Sequence, residues 1–126
     1  MLFIGVKDLD TPKRAVSRYR NKIHSKYENV LIYGFKDEVI ANIKNGKRNF
    51  RAIDWYPSYI GPREYKPNEY QALIVDMEDN FKMFVEFTHE EVKLYKEIKN
   101  AYKREDLKDS DKLIVKYFKV LEYFDS

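Results

Sequence analysis

The N-terminal part of the chain has two short apolar runs on either side of an amphipathic segment. Residues 2–7 and 30–35 are rich in β-branched and aromatic side chains, which predicts two buried strands. Residues 11–27 carry Pro12 near their start and repeat apolar side chains at the spacing of one helix face, which predicts a helix. Strand, helix and strand in this order predict a parallel β-α-β unit with a right-handed crossover.

Two patterns compete in residues 37–46. Apolar side chains at helical spacing, followed by Gly46, indicate a short helix. Asn45 and Gly46 together are also a frequent hairpin turn. We favour the short helix. Residues 48–55 alternate between two faces and therefore predict a further strand.

The C-terminal part of the chain predicts a hairpin followed by two helices. Residues 71–77 and 81–87 are apolar segments separated by a polar turn, as in a β-hairpin. Thr88 and Glu91 have the spacing of a capping box, which predicts that an amphipathic helix begins there. Ser110 is a suitable N-cap for a last helix with a broad apolar face.

The predicted architecture is a single α+β domain over residues 1–126. The N-terminal β-α-β unit and the β-hairpin form a mixed sheet, and the two C-terminal amphipathic helices pack against it. A chain of 126 residues is long enough for one hydrophobic core and too short for two independent ones.

The composition excludes several kinds of chemistry. With no cysteine and two histidines, the chain has no disulfide, no thiolate nucleophile and too few imidazoles for a histidine metal cage. The four glycines form no phosphate-binding loop or dinucleotide fingerprint. We therefore predict no cofactor, no metal site and no catalytic residue. The N-terminal apolar run is too short for a signal peptide or a membrane span, so we expect a protein of the host-cell cytoplasm with no membrane partner.

Charge is distributed unevenly along the chain. Residues 1–66 carry 14 basic and 7 acidic residues, a net charge of +7, whereas residues 67–126 carry 10 and 14, a net charge of −4. Residues 11–27 contain no acidic residue, and a helix with such a basic surface attracts polyanions. The basic residues of this predicted helix are Lys13, Arg14, Arg18, Arg20, Lys22 and Lys26.

Residues 55–70 predict a stiff, aromatic loop. Three of the four prolines lie in it and exclude a regular helix. Its aromatic rings are interleaved with Arg63 and Lys66, a combination that stacks on bases while neutralising phosphates, or anchors a protein partner. If the loop serves binding, several tyrosine rings should be exposed beside these cations. If it serves folding, the rings should be buried and their hydroxyl groups hydrogen-bonded. The tyrosines are Tyr56, Tyr59, Tyr65 and Tyr70.

One pattern introduces a metal-dependent nuclease as an alternative. Asp54, followed by Glu64-Tyr65-Lys66, has the order in which carboxylates hold Mg²⁺ and a lysine polarises the attacking water. Such side chains must converge from strand ends, whereas Glu64 and Lys66 lie in a proline-bounded loop. We therefore do not predict a metal site at these residues.

A short part of the chain resembles a known domain family. A strand, a short helix and a Gly-x-Lys turn follow one another at Leu31-Ile32, Ile40, Ile43 and Gly46-Lys47-Arg48. This arrangement is similar to that of the PUA-like ASCH domains, and the resemblance implies an association with RNA. Those domains place an acidic and then a basic residue after the turn, where this chain has Arg51 and Ile53. The resemblance therefore assigns no binding residue.

The first functional hypothesis is a small nucleic-acid-binding protein without enzymatic activity. In it, the helix over residues 11–27 holds phosphates of DNA or RNA, and the loop over residues 55–70 adds stacking. Because basic side chains release counterions from phosphates, binding should weaken as salt is raised. The candidate binding residues are the six basic residues of the helix together with Lys47, Arg48, Arg51, Trp55, Tyr59, Arg63, Tyr65 and Lys66.

The second hypothesis is a protein-interaction or inhibitor module of viral or mobile-element type. Its partner would be an acidic protein surface or a second copy of the chain in a homodimer. Tyrosine, tryptophan and arginine, which are frequent in the aromatic loop, dominate the energetics of such interfaces. The sequence does not separate this hypothesis from nucleic-acid binding.

Overall fold

The computed structural model describes residues 30–78 and 80–124, and strands predominate in them. Apolar, β-branched and aromatic residues fill these strands, as expected for a sheet that packs against a core. The elements in chain order are β1 (Val30–Gly34), α1 (Asp37–Lys44), β2 (Phe50–Asp54), β3 (Gln71–Val75), β4 (Phe81–Leu94), α2 (Tyr95–Ile98) and β5 (Lys112–Tyr123).

The five strands form one mixed sheet in the order β1-β3-β4-β5-β2, which curls into a half-barrel. β1 pairs with β3 in parallel, and the other neighbours are antiparallel. The pairing of β4 with β5 shifts register between Phe84 and Val85, and again between Phe87 and His89. Such bulges bend a strand and increase its twist, so they help the long β4 to follow the curl of the sheet.

The two predicted C-terminal helices are wrong. Thr88 and Glu91 lie inside β4, which continues to Leu94 before the single helical turn of α2. The segment after Ser110 is strand β5, which pairs with β4 from Lys112 as far as Tyr123. Both segments are rich in β-branched and aromatic residues, and the cross-strand pairing of two such long segments outweighs the local helix signals.

The predicted fold class is therefore wrong as well. The described residues form a curled sheet with two short helices rather than a β-α-β unit packed by two C-terminal helices. The predicted strand over residues 2–7 and the predicted basic helix over residues 11–27 lie outside the described residues. The short helix that begins at residue 37, strands β1 and β2, and the β3–β4 hairpin agree with the sequence pattern.

The sheet has an apolar cluster on each of its faces. The alternation of β5 directs Leu113 and Val115 to one face, where they join Phe50 of β2 and the side chains around α2. Phe118 lies on the other face with the apolar residues of β3 and β4, and α1 covers this cluster with Ile40 and Ile43. Within the described part of the chain, no helix is long and apolar enough to span a bilayer.

Asp76 holds the turn between β3 and β4. Its carboxylate accepts hydrogen bonds from the backbone N–H groups of Glu78 and Asn80, both at 2.9 Å, and lies 3.7 Å from Nζ of Lys82. Burial by itself would raise the pKa of Asp76. The hydrogen bonds from Asn80 and Glu78 and the charge of Lys82 outweigh burial, and the pKa lies below its usual value of 3.8.

Replacing Asp76 by alanine should lower the free energy of unfolding at neutral pH by about 1 to 3 kcal/mol, because the turn N–H groups lose their acceptor. A carboxyl with a lowered folded-state pKa stabilises the fold above its unfolded pKa, and this contribution is lost as the pH falls through the folded-state value. Urea unfolding of the wild type and of Asp76→Ala should therefore show a difference in the free energy of unfolding that is constant near neutral pH. This difference should shrink below about pH 3.8. A difference that does not change with acid would contradict the ionic role of Asp76.

Candidate nucleic-acid interface

A cavity of about 1000 Å³ lies between α1, the turn that follows it and residues 100–104. We call it the basic groove. Glu38 is the acidic residue among its described lining residues, whereas five of them are basic. The basic residues are Lys36, Lys47, Arg48, Lys103 and Arg104.

Arg48 forms a wall of the basic groove rather than an exposed phosphate contact. It is 4% exposed, and its Nε donates a hydrogen bond to the carbonyl oxygen of Phe50 at 2.9 Å. Its guanidinium lies 5.0 Å from the ring centre of Phe50 and 5.4 Å from that of Tyr102. These cation–π contacts fix the turn after α1 against the segment around Tyr102.

Arg104, at the other end of the basic groove, is neutralised by carboxylates. Its Nη2 lies 2.6 Å from Oδ2 of Asp106, and its Nη1 lies 2.6 Å from Oδ1 of Asp54. The hydrogen bonds to Asp106 and then to Asp54 raise the pKa of Arg104 further above its usual value. The uncompensated charge of the groove therefore comes from Lys36, Lys47 and Lys103, which are exposed and form no ion pair with any described residue.

The aromatic loop over residues 55–70 divides into two kinds of ring. Tyr59 and Tyr65 are half-buried, and both donate their hydroxyl hydrogens to the carboxylate of Glu90. Burial and then the hydrogen bond to Glu90 raise the pKa of Tyr59. These two tyrosines have the buried, hydrogen-bonded arrangement expected of a loop that serves folding.

Three other rings at the two ends of this loop are exposed to solvent. Trp55 is 39% exposed, Tyr56 44% and Tyr70 38%. Arg63 lies over the ring of Tyr65 at 4.6 Å and also pairs with a glutamate of the loop. Exposure of these rings is what a binding loop requires, whereas the ring contact of Arg63 is with half-buried Tyr65, so a binding role of the loop stays a prediction.

Three charged residues lie side by side across β2, β5 and β4, and we call them the charged row. Arg51 is the strand partner of Lys116, and Lys116 is the partner of Glu90. Nζ of Lys116 lies 4.0 Å from Oε2 of Glu90. Burial lowers the pKa of Lys116, and the positive charges of Arg51 and Arg63 lower it further, while Glu90 opposes the shift.

Arg48 and Arg51, which flank Phe50 in the chain, belong to different sites, since Arg48 lines the basic groove and Arg51 is part of the charged row. The guanidinium of Arg48 packs on the ring of Phe50, whereas Arg51, the next residue along the strand, points to the other face. The structure thus brings Arg51, Tyr59 and Tyr65 together around Glu90, and leaves Lys47 and Arg48 in the groove. Lys66 is exposed in the loop.

Several contributors to these sites were absent from the sequence predictions. Lys36 and Lys103 reach the basic groove from distant parts of the chain, so no linear motif connects them. Lys116 was assigned to a helix, in which it could not face Arg51 and Glu90 across strands. The cross-strand register of β5 is the signal that places it.

The carboxylates of the nuclease alternative do not converge on a metal site. Asp54 is bound to Arg104, and Glu64 forms an isolated β-bridge with His89. In residues 30–78 and 80–124, no group of three or more histidine, aspartate or glutamate side chains could hold a metal ion.

Comparisons with known proteins give a likeness of fold alone. No family model and no curated protein matches the sequence. The crystal structure of protein EF3133 from Enterococcus faecalis V583, described by the family model DUF984, is similar over 90% of this chain and 96% of that one, with 12% identity and a TM-score of 0.52. The ASCH domain from Lactobacillus crispatus JV V101 is similar over 93% and 98%, with 11% identity and a TM-score of 0.50.

The chain therefore shares the fold of ASCH and DUF984 domains. This agrees with the short resemblance to ASCH domains around α1 and the turn that follows it. The comparisons do not support a viral origin, a homodimer or an acidic protein partner.

Proposed function

We propose that this protein binds nucleic acid, with RNA as the preferred class, and that the basic groove holds the phosphate backbone. The observation that carries the proposal is the group of three exposed lysines, Lys36, Lys47 and Lys103, around a cavity of about 1000 Å³. Lysines that pair with no carboxylate among the described residues can neutralise phosphates, and the counterions released from the nucleic acid drive the binding. The shared fold with ASCH domains favours RNA, since the resemblance to that family implies an association with RNA.

A second feature extends the proposed interface from the groove towards the aromatic loop. Asp54, which is bound to Arg104 of the groove, is followed directly by the half-exposed ring of Trp55. Nζ of Lys112 lies 5.1 Å from the ring centre of Trp55, beside a second cavity of about 410 Å³. A strand whose phosphates follow the groove would thus meet an exposed indole on which a base can stack.

The test is the charge-reversal variant Lys47→Glu/Lys103→Glu, measured by fluorescence anisotropy with a labelled single-stranded RNA at several salt concentrations. The loss of two phosphate contacts should weaken binding by about tenfold or more and reduce the slope of log K against log salt by about 1.4. RNA should bind more tightly than DNA of the same sequence, because an RNA-binding site also contacts the 2′-hydroxyl groups.

The control variant is Lys96→Glu/Lys108→Glu, which changes the net charge equally at exposed lysines outside the groove. This variant should retain most of the affinity for RNA and the same slope of log K against log salt as the wild type. Equal losses in both variants would mean that net charge alone attracts the RNA and would contradict a role of the groove. Absence of binding by the wild-type protein at low salt would contradict the proposed function itself.

A further inference from the structure

Arg51 is a buried cation with no ion-pair partner in the described part of the chain. It is 8% exposed, and its Nε is buried without a hydrogen-bond acceptor. Its guanidinium carbon lies 4.5 Å from the ring centre of Tyr33, and no carboxylate in residues 30–78 or 80–124 forms an ion pair with it. A buried charge is costly unless it is paired and hydrogen-bonded, so an isolated buried guanidinium indicates a site that receives its anion from outside.

The neighbouring groups do not supply that anion. Glu90 is the carboxylate of the charged row, and it already accepts the hydroxyl hydrogens of Tyr59 and Tyr65 and pairs with Lys116. The row therefore has two cations and one carboxylate. Arg63, which lies above Tyr65, pairs with Glu69 at 3.1 Å and adds no negative charge either.

We infer that Arg51 and Lys116 form a binding site for a single phosphate group beneath the aromatic loop, with no lining residue in common with the basic groove. The planar guanidinium of Arg51 offers two parallel N–H donors to two phosphate oxygens, and the ammonium of Lys116 adds a point charge. The hydroxyl groups around Glu90 keep its carboxylate occupied, so it does not compete for the guanidinium. This site goes beyond the proposed function, because it needs no contribution from the basic groove.

The test compares thermal unfolding of the wild type and of Arg51→Met in inorganic phosphate and in sodium chloride of equal ionic strength. Phosphate stabilises many proteins by exclusion from their surface, and this general effect is common to both proteins. The wild type should show an additional rise in Tm that grows with phosphate concentration, because a bound anion stabilises the folded state. Arg51→Met should lack this rise, and its affinity for phosphate in calorimetry should be lower by at least about tenfold.

Two further variants make the comparison specific. Lys116→Met should weaken the phosphate response, whereas Lys99→Gln should leave it unchanged because Lys99 is exposed and pairs with Asp109 rather than with the charged row. In chloride, Arg51→Met should be at least as stable as the wild type, since it removes a buried charge that pairs with no carboxylate among the described residues. This result would also show that the variant folds.

The source of the phosphate is identified by parallel titrations with inorganic phosphate, a 5′-mononucleotide and the corresponding nucleoside. Tighter binding of the mononucleotide than of inorganic phosphate assigns the site to a nucleotide, and equal binding assigns it to free phosphate; the nucleoside should not bind in either case.

The inference is overturned if phosphate raises the Tm of the wild type and of Arg51→Met equally. It is also overturned if Arg51→Met is strongly destabilised in chloride, because Arg51 would then have a partner within the protein. Oligonucleotide binding by the groove does not enter this test, so the two proposals fail separately.

Discussion

Glu90→Ala is expected to lower the free energy of unfolding by about 3 to 5 kcal/mol, the range for removing one partner of a buried ion pair. Glu90 is 5% exposed and is the carboxylate that faces Lys116 across the strand pair. Without it, buried Arg51 and partly buried Lys116 remain as adjacent cations, and the hydroxyl groups of Tyr59 and Tyr65 lose their acceptor. Urea unfolding of the variant and the wild type measures the difference.

The double variant Glu90→Ala/Lys116→Met separates charge from packing. Removing the second charge should restore part of the lost stability. Replacing both members of an ion pair by uncharged residues destabilises a protein less than removing one member and leaving the other charge unpaired. Glu90→Gln keeps an acceptor for the tyrosine hydroxyl groups and should lose less than Glu90→Ala. A loss below about 1 kcal/mol for Glu90→Ala would show that solvent screens the charged row, as it screens a surface pair.

Tyr65→Ala is expected to give the second-largest loss, about 2 to 3 kcal/mol. This is less than the cost for a fully buried aromatic ring because Tyr65 is only half-buried, but it includes a lost hydrogen bond to Glu90. The ring also packs against that of Tyr70, with 4.9 Å between the ring centres. Thermal and urea unfolding measure the change directly.

Tyr65→Phe and Tyr56→Ala are the matched controls. Tyr65→Phe removes the hydroxyl group alone and should lose about 1 to 2 kcal/mol. Tyr56 is 44% exposed, so Tyr56→Ala should change stability by less than about 1 kcal/mol. Equal losses for Tyr56→Ala and Tyr65→Ala would contradict the division of the loop into folding and binding rings.

The parts of the fold that depend on short-range signals could be predicted from the sequence. α1, β1, β2 and the β3–β4 hairpin are each specified by a local apolar pattern and the turn residues beside it. The structure of the region after Thr88 could not be predicted from the sequence, because its apolar side chains fit both one face of a helix and the alternation of a strand. Pairing of β4 with β5 decides between the two, and such pairing is a property of the whole sheet rather than of either segment.

The candidate sites were predictable only where one segment supplies the chemistry. Lys47 and Arg48 were identified because they are adjacent, although burial gives Arg48 a structural position in the groove wall. Glu90 and Lys116 were assigned to helices, so their pairing across strands beside Arg51 could not be anticipated. The proposals about Lys13, Arg14, Arg18, Arg20, Lys22 and Lys26 fall outside the described residues and stay predictions.

The place of β2 in the sheet has a consequence for how the protein is made. β2 pairs with β5, although β3, β4 and the aromatic loop lie between them in the chain. The local β3–β4 hairpin can form early, whereas joining β2 to β5 must close a long loop and is entropically slow. Arg51 meets Lys116 only in that late step. A nascent chain still attached to the ribosome therefore has no phosphate site until β5 has left the exit tunnel.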